Sequence, residues 1–265
     1  MIILKSILFF LIGLVFGSFG KVIVDRGVKG EKFWVGRSLC DHCHKKLDWW
    51  ENIPLLSYLF LRGRCRFCGG TISKSYFWTE LLFGSVFLLV AWRLGVLSGS
   101  LFEVREGGLW LDLVFYLMIS FVLLLILLWD WRTMIIPNKL LGIGLIIWLV
   151  YQLFRSFLPD VDLVGLGGYL MGGFLLGGFF YLMFIFSNGK IIGGGDVKLG
   201  FLLGLLVGWK MVYFVLFGAY VLGAVPAIYL LLTGKATVKT KIPFGPFLVL
   251  AGIIVLLFGS EFLGW

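Results

Sequence analysis

Residues 117–133 read LMISFVLLLILLWDWRT. From Leu117 to Trp129 there is no charge, and then Asp130, Trp131 and Arg132 follow at once. Extended back to residue 111, the run reaches the length at which a helix crosses the ~30 Å hydrocarbon core of a bilayer, about 20 residues. An acid closing such a run needs a reason, because ionisable groups at membrane depth are costly and usually functional.

Working outward, similar apolar runs lie near 2–24, 76–98, 140–158, 163–186, 197–209, 211–232 and 246–264. The 265 residues are 60% hydrophobic and 14% charged, against about 45–50% and about 25% for soluble domains. Mean hydropathy is +1.04. These values exclude a soluble globular chain, a disordered chain and a fibrous repeat. They predict an all-α polytopic membrane protein of about eight transmembrane helices, with membrane lipid as an obligatory partner. The run 197–209 is short and glycine-rich, so its length fits a span or a re-entrant half-helix.

Charge places the loops. The net charge is +9, and 11 of the 23 Lys and Arg residues fall between Lys21 and Lys74, the only long polar segment. Lys and Arg resist translocation, so a basic loop beside apolar spans is cytoplasmic. If all eight runs cross, Arg132, Lys139, Lys190, Lys198, Lys235, Lys239 and Lys241 join that side, and only Lys5, Arg93, Arg105, Arg155 and Lys210 remain outside. Eight crossings with both termini outside fit best. Met1–Gly20 has the outline of a signal peptide, but Lys21 and Arg26 follow directly, as suits an uncleaved first span. No basic stripe interleaved with stacking aromatics is present, so nucleic acid is not an expected partner. There is no internal repeat. The organisation read here is a first transmembrane helix at 1–24, a cytoplasmic polar loop domain at 25–75 and a transmembrane domain at 76–265. Glycines 168, 172, 173 and 177 have the small-xxx-small spacing of close helix packing.

All four cysteines lie in the polar loop, as Cys40-x2-Cys43 and Cys65-x2-Cys68. Each pair suits one tight turn, and two such turns complete a closed tetrahedral zinc site with no position left for water. Its role is therefore structural. Two disulfides are the rival reading, which a reducing cytosol opposes. His42 and His44 flank Cys43 and are read as solvent-facing neighbours rather than ligands. Trp49 and Trp50 are read as headgroup contacts.

Four acids lie in or beside the spans. Asp112 opens its run and is explained by the helix dipole. Glu80, near a helix start, reads as a cap. Asp130 has a bland alternative, a boundary acid paired with Arg132. Asp196, after Gly193-Gly194-Gly195 and before Lys198, has another, an N-capping acid on a flexible loop. The predicted topology nevertheless brings Asp130, at the end of the third span, and Asp196, at the start of the sixth, to the same cytoplasmic face. Two carboxylates sharing a site do not both ionise easily, which lets one act as base and the other as acid. No Gly-x-Ser-x-Gly elbow or His-Glu-x-x-His helix is present, and both histidines sit in the cysteine loop. If the chemistry is hydrolytic, an aspartyl mechanism remains.

In this order the residues resemble the type IV prepilin leader peptidase/N-methyltransferase family, membrane aspartic proteases of the Gly-x-Gly-Asp group. The resemblance rests on Gly17-Ser18-Phe19, the cysteine pairs, Asn52-Ile53-Pro54-Leu55-Leu56-Ser57-Tyr58, Leu61-Arg62-Gly63-Arg64-Cys65 and Glu80. It continues through Asp130 with Ile136-Pro137, Gly193-Gly194-Gly195-Asp196-Val197-Lys198, and Ile242-Pro243-Phe244-Gly245-Pro246-Phe247. It implies that Asp130 and Asp196 are the catalytic pair, with Gly193, Gly195 and Lys198 in the active-site loop. It also implies cleavage of prepilin or pseudopilin precursors after glycine, between a basic leader and an apolar helix, at the cytoplasmic face of a bacterial inner membrane. Methylation of the new amino terminus with S-adenosylmethionine is implied too, although no residue pattern marks a donor site. One departure is Asn138, where relatives often carry Asp after the proline. The alternative from another class is an ion-coupled transporter using the two aspartates as proton carriers. A zinc-clamped scaffold without catalysis is a third.

Overall fold

The computed structural model describes residues 2–32, 36–97, 108–158, 164–189, 192–234, 237, 240 and 242–262. Arg105, Lys190, Lys235, Lys239 and Lys241, used above to orient the loops, lie outside the described residues. The named elements are helical: α1 (Ile2–Val28), α2 (Leu56–Phe60), α3 (Lys74–Arg93), α4 (Gly108–Thr133), α5 (Asn138–Arg155), α6 (Val164–Phe186), α7 (Gly194–Val207), α8 (Val212–Leu232) and α9 (Gly245–Phe262). Each of the eight apolar runs is thus a helix. Among the described residues, five helices are long and apolar enough to cross a bilayer by length and composition: α1, α3, α4, α6, and α8 with its preceding turn.

The chain divides into two compact units, residues 1–104 and 105–265. In the first, α1 and α3 pack antiparallel, so the helix at 74–93 groups with the cysteine loop. Polar bonds pin both ends of the pair. Lys5 is 4% exposed, and its ammonium donates to the Val96 carbonyl at 3.0 Å, just beyond the end of α3. At the other end Lys21 pairs with Asp25 at 3.0 Å, and the Tyr76 hydroxyl donates to the second Asp25 oxygen at 3.0 Å. A buried ammonium without such partners would be strongly disfavoured.

The second unit is an up-and-down bundle built around α7. This helix has only 14 residues, about 21 Å at 1.5 Å per residue, and packs against α5, α6 and α9. Leu199 and Leu203 on it are fully buried. A helix apolar on all sides is what a position inside a bundle requires. Its closest neighbour is α6: a methyl placed on Gly172 would stand 2.5 Å from the Gly204 carbonyl oxygen and 2.6 Å from the Gly208 carbonyl carbon. Only glycine allows backbones to approach so closely. The alternating helix directions bring the end of α4 and the starts of α5, α7 and α9 to one level.

At the far level Asp112 accepts from the Tyr151 hydroxyl at 2.7 Å and pairs with Arg155 at 3.3 Å. The sequence suggests a dipole-stabilised helix start there; the structure instead shows a side-chain triad joining α4 to α5.

Candidate active site and metal centre

Asp130 sits three residues before the end of α4 and is 4% exposed. Beyond it the helix is closed by Met134, whose φ of +55° turns the chain aside. The Met134 amide donates to the Asp130 carbonyl at 2.8 Å. The Thr133 hydroxyl donates back to the Trp129 carbonyl at 2.9 Å. That turn sends Ile136 beneath two glycine-containing segments. A methyl on Gly195 would lie 3.1 Å from Ile136 Cβ, and one on Gly245 would lie 3.4 Å from Ile136 Cδ1. Ile136 therefore wedges between the start of α7 and the start of α9.

The start of α7 carries Asp196 in its first turn. Its Oδ2 accepts the Gly193 amide at 3.1 Å, satisfying one of the donors that every helix start leaves over. The capping role suggested by the sequence is therefore present, yet the same carboxylate also interacts electrostatically with Asp130. Cap and site residue are one side chain.

The start of α9 supplies a third contact. The backbone amide of Gly245 interacts electrostatically with the Asp130 carboxylate. A methyl at Gly245 would stand 2.5 Å from Asp130 Oδ2, so only glycine lets the backbone come this near. Its neighbours hold it in place: Phe244 packs between Phe180 at 5.9 Å and Tyr220 at 5.3 Å, and Phe247 meets Trp131 edge-on at 6.4 Å. Reasoning from residue chemistry misses Gly245, because a glycine shows no function in isolation. The available signal was the run Ile242–Phe247 within the quoted motifs.

Of the loop residues singled out, Gly193 and Gly195 make the contacts just described. Lys198 is exposed, and its ammonium donates to Asn138 Oδ1 at 2.8 Å. Asn138 thus occupies an acceptor position toward Lys198 as a neutral group. An apolar cavity of about 500 Å³ opens between α5, α6 and α7. On α7 it is lined by Val197, Lys198, Phe201 and Leu202, the face of that helix turned away from Asp196 at 3.6 residues per turn.

In the first unit, the two cysteine turns are near copies of each other. Cys40 N–H donates to the Lys45 carbonyl at 3.0 Å and Cys65 N–H to the Gly70 carbonyl at 2.8 Å. Leu39 bridges Lys46 and Arg64 bridges Thr71. Each turn reverses at a positive-φ residue four after its first cysteine, His44 at +55° and Gly69 at +68°. The four sulfurs lie within 4.8 Å of one another, with Cys40 and Cys68 at 3.9 Å. Sulfurs at 2.3 Å from a tetrahedral zinc would be roughly 3.8 Å apart, so the set fits a metal ion. The amides of Cys68 and Phe67 point at the Cys65 sulfur and lower that thiol to about 7, while burial and the three neighbouring sulfurs push the Cys68 thiol up to about 11; the fit to a metal therefore rests on the sulfur geometry. All four cysteines are free. His42 stands outside the sulfur cluster: its ring packs on Gly70 and its Nε2 lies 3.2 Å from the Thr71 carbonyl.

Glu80, read above as a cap, serves another segment. It is 6% exposed, and its Oε2 accepts the amide of Leu55 at 2.8 Å. Leu55 has a φ of +57°, so the carboxylate ties a strained turn of the loop to α3.

Comparison with known proteins matches both units. The model of the bacterial peptidase A24 N-terminal domain matches residues 11–94, and that of the type IV leader peptidase family matches residues 117–228. A prepilin leader peptidase/N-methyltransferase of Pseudomonas putida is 32% identical over 224 residues, 84% of this chain and 73% of that protein. One of Aeromonas hydrophila is 33% identical over 285 residues, 97% of this chain and 92% of that protein. One of Vibrio cholerae is 28% identical over 260 residues, covering 94% and 95%. No solved structure matches.

Proposed function

Since the chain belongs to the type IV leader peptidase family, we propose that it is a membrane-embedded aspartic endopeptidase whose catalytic pair is Asp130 and Asp196. Its substrates are prepilin or pseudopilin precursors, cut after glycine between a basic leader and an apolar helix. What supports this reading most is the convergence of the two carboxylates, from separate helices, at one end of the second unit.

In the proposed reaction the pair shares one proton. The ionised carboxylate takes a proton from a water as that water attacks the scissile carbonyl carbon. The tetrahedral adduct collapses when the protonated carboxyl gives its proton to the leaving nitrogen. Gly245 orients Asp130, and Gly193 orients Asp196. The excess of positive charge in residues 21–74 supports a cytoplasmic location for this end of the bundle in a bacterial inner membrane.

We assign zinc to Cys40, Cys43, Cys65 and Cys68 as a structural ion holding the 25–75 loop; the helix that follows packs with α1 in the first unit, so the peptidase domain is the second unit rather than everything from 76 onward. The relatives' names couple cleavage to N-methylation, which we extend to this chain with S-adenosylmethionine as donor. Neither cluster described above has the chemistry of a donor site: four thiols suit a metal, and the cavity between α5, α6 and α7 is apolar. No residue is therefore assigned to methyl transfer.

The test is cleavage of a model pilin precursor by purified protein in detergent, comparing wild type with Asp130→Asn and Asp196→Asn. Cleavage by wild type alone is the expected result. Normal processing by either variant removes that residue from the mechanism. A folded, zinc-loaded wild type that cuts no precursor overturns the peptidase reading.

A further inference from the structure

The loop between α1 and α3 carries an apolar face that the cysteine turns do not use. It belongs to α2, a helix of five residues, on which Leu56, Leu59 and Phe60 are exposed, Phe60 to 79%. Positions i, i+3 and i+4 share one side of a helix. The opposite side packs on protein: the Tyr58 ring lies 5.5 Å from that of Phe77 on α3, and a methyl on Gly63 would stand 3.0 Å from Tyr58 Cζ. Ser57 and Tyr58 thus turn inward while three purely apolar side chains turn out. A surface helix in water has the reverse arrangement.

The position of α2 is set by α3, since a helix this short does not hold itself. Glu80, which accepts the Leu55 amide at 2.8 Å, is six residues past Lys74, about 9 Å along the helix. The start of α2 is therefore held beside the second turn of a helix long and apolar enough to cross a bilayer. Phe77 also meets Trp78 edge-on at 5.5 Å, and the Trp78 ring is exposed. Trp49, exposed as well, lies on the short turn that touches α2. Exposed Arg62 and Arg64 follow α2 directly.

From these features we infer that α2 is an interfacial anchor: its Leu56, Leu59 and Phe60 face lies among the acyl chains beside α3, and Arg62 and Arg64 meet anionic headgroups. Depth and charge commit the face to lipid. Its tie to the second turn of a membrane span places it where acyl chains and headgroups meet, and tryptophan gathers at that boundary. The arginines at its rim find their counter-charge in anionic lipid, whereas an apolar partner helix offers them none. The anchor would fix the cysteine loop against the membrane surface, and it stands whether or not the chain is a peptidase.

The test uses the full chain in vesicles of phosphatidylcholine and phosphatidylglycerol, with a benzophenone amino acid in place of Phe60. Irradiation should yield protein carrying the mass of one phospholipid. The same probe in place of Asp41, exposed on the first cysteine turn, should capture none, with zinc content confirming that both proteins are folded. Leaving out phosphatidylglycerol should lower the yield at position 60 about fivefold or more, the effect of one basic residue at an anionic surface. Arg62→Gln combined with Arg64→Gln should lower it likewise with phosphatidylglycerol present. Adducts at position 60 to another part of this chain, or to a second copy, overturn the inference. So do equal lipid capture at both positions and a yield that neither phosphatidylglycerol nor the two arginines change.

Discussion

Replacing Gly245 with alanine tests whether the third segment sets the geometry of the aspartyl pair. The added methyl would stand 2.5 Å from Asp130 Oδ2 and 3.1 Å from its Cγ, roughly 1 Å short of the ~3.5 Å at which non-bonded atoms sit comfortably. Asp130 is 4% exposed and has little room to retreat. Either the carboxylate or the start of α9 must move by about that distance. Two stability effects oppose each other here: alanine favours a helix over glycine by ~1 kcal/mol, whereas overpacking costs ~1–3 kcal/mol. Stability thus changes little, but a misplacement of ~1 Å at a reacting group costs about 10²-fold in rate. The assay is precursor cleavage under saturating substrate together with thermal unfolding in detergent. Gly252→Ala is the control, since its methyl would meet Leu203 Cδ2 at 2.6 Å on the same helix, at a flexible side-chain tip. Gly245→Ala should lose about two orders of magnitude in kcat, and Gly252→Ala should not. Wild-type kcat in Gly245→Ala would refute the claim that this backbone contact positions Asp130.

Three further perturbations address the rest of the molecule. Cys40→Ser or Cys65→Ser should abolish zinc binding in elemental analysis and make residues 36–73 sensitive to limited proteolysis, since structural zinc contributes ~10–16 kcal/mol of apparent binding energy in small domains; a variant retaining both zinc and protection would contradict the four-sulfur site. Tyr151→Phe leaves the ring stack on Phe115 intact but removes the hydroxyl that donates to Asp112, so unfolding stability should drop by ~1.5–3 kcal/mol with precursor cleavage unaltered; lost cleavage at full stability would place the triad in the reaction. Asn138→Asp supplies a charged acceptor for Lys198 at an exposed position, where an ion pair adds only ~0–1 kcal/mol. Cleavage within about threefold of wild type is expected on that scale, and a tenfold change would give Asn138 a part in catalysis.

Much of this architecture was legible in the sequence because membrane burial is a one-dimensional signal. A run such as 117–129 announces a helix through composition alone, and all eight runs are helices in the structure. The cysteine spacing was equally readable, because two residues between thiols define a turn before any tertiary contact is known. Tertiary partners were not. Asp112, Glu80 and Asp196 all look like helix-start acids, and only the last is one: Glu80 holds Leu55 of the cysteine loop, 25 residues away, and Asp112 holds Tyr151, 39 residues away. Nothing local distinguishes a carboxylate that caps its own helix from one that serves another segment. Gly245 and Ile136 were harder still, since one acts through a backbone N–H and the other through shape.

The two carboxylates are held unequally, and that difference bears on how the site works. Asp130 is constrained by its own helix end, by the Gly245 amide and by Ile136 packed between the two neighbouring segments. Asp196 is half-buried, and among the described residues its hydrogen bond stays within its own first turn, to Gly193 in an exposed glycine run. A proton carrier in an alternating-access transporter must expose its acid first to one side and then to the other. Asp130, locked from three elements at one end of the bundle, is poorly built for that. A hydrolase needs its groups held in a fixed relation to the bond they act on, together with an approach for the substrate. The rigid acid at Asp130 and the more open turn at Asp196 supply both.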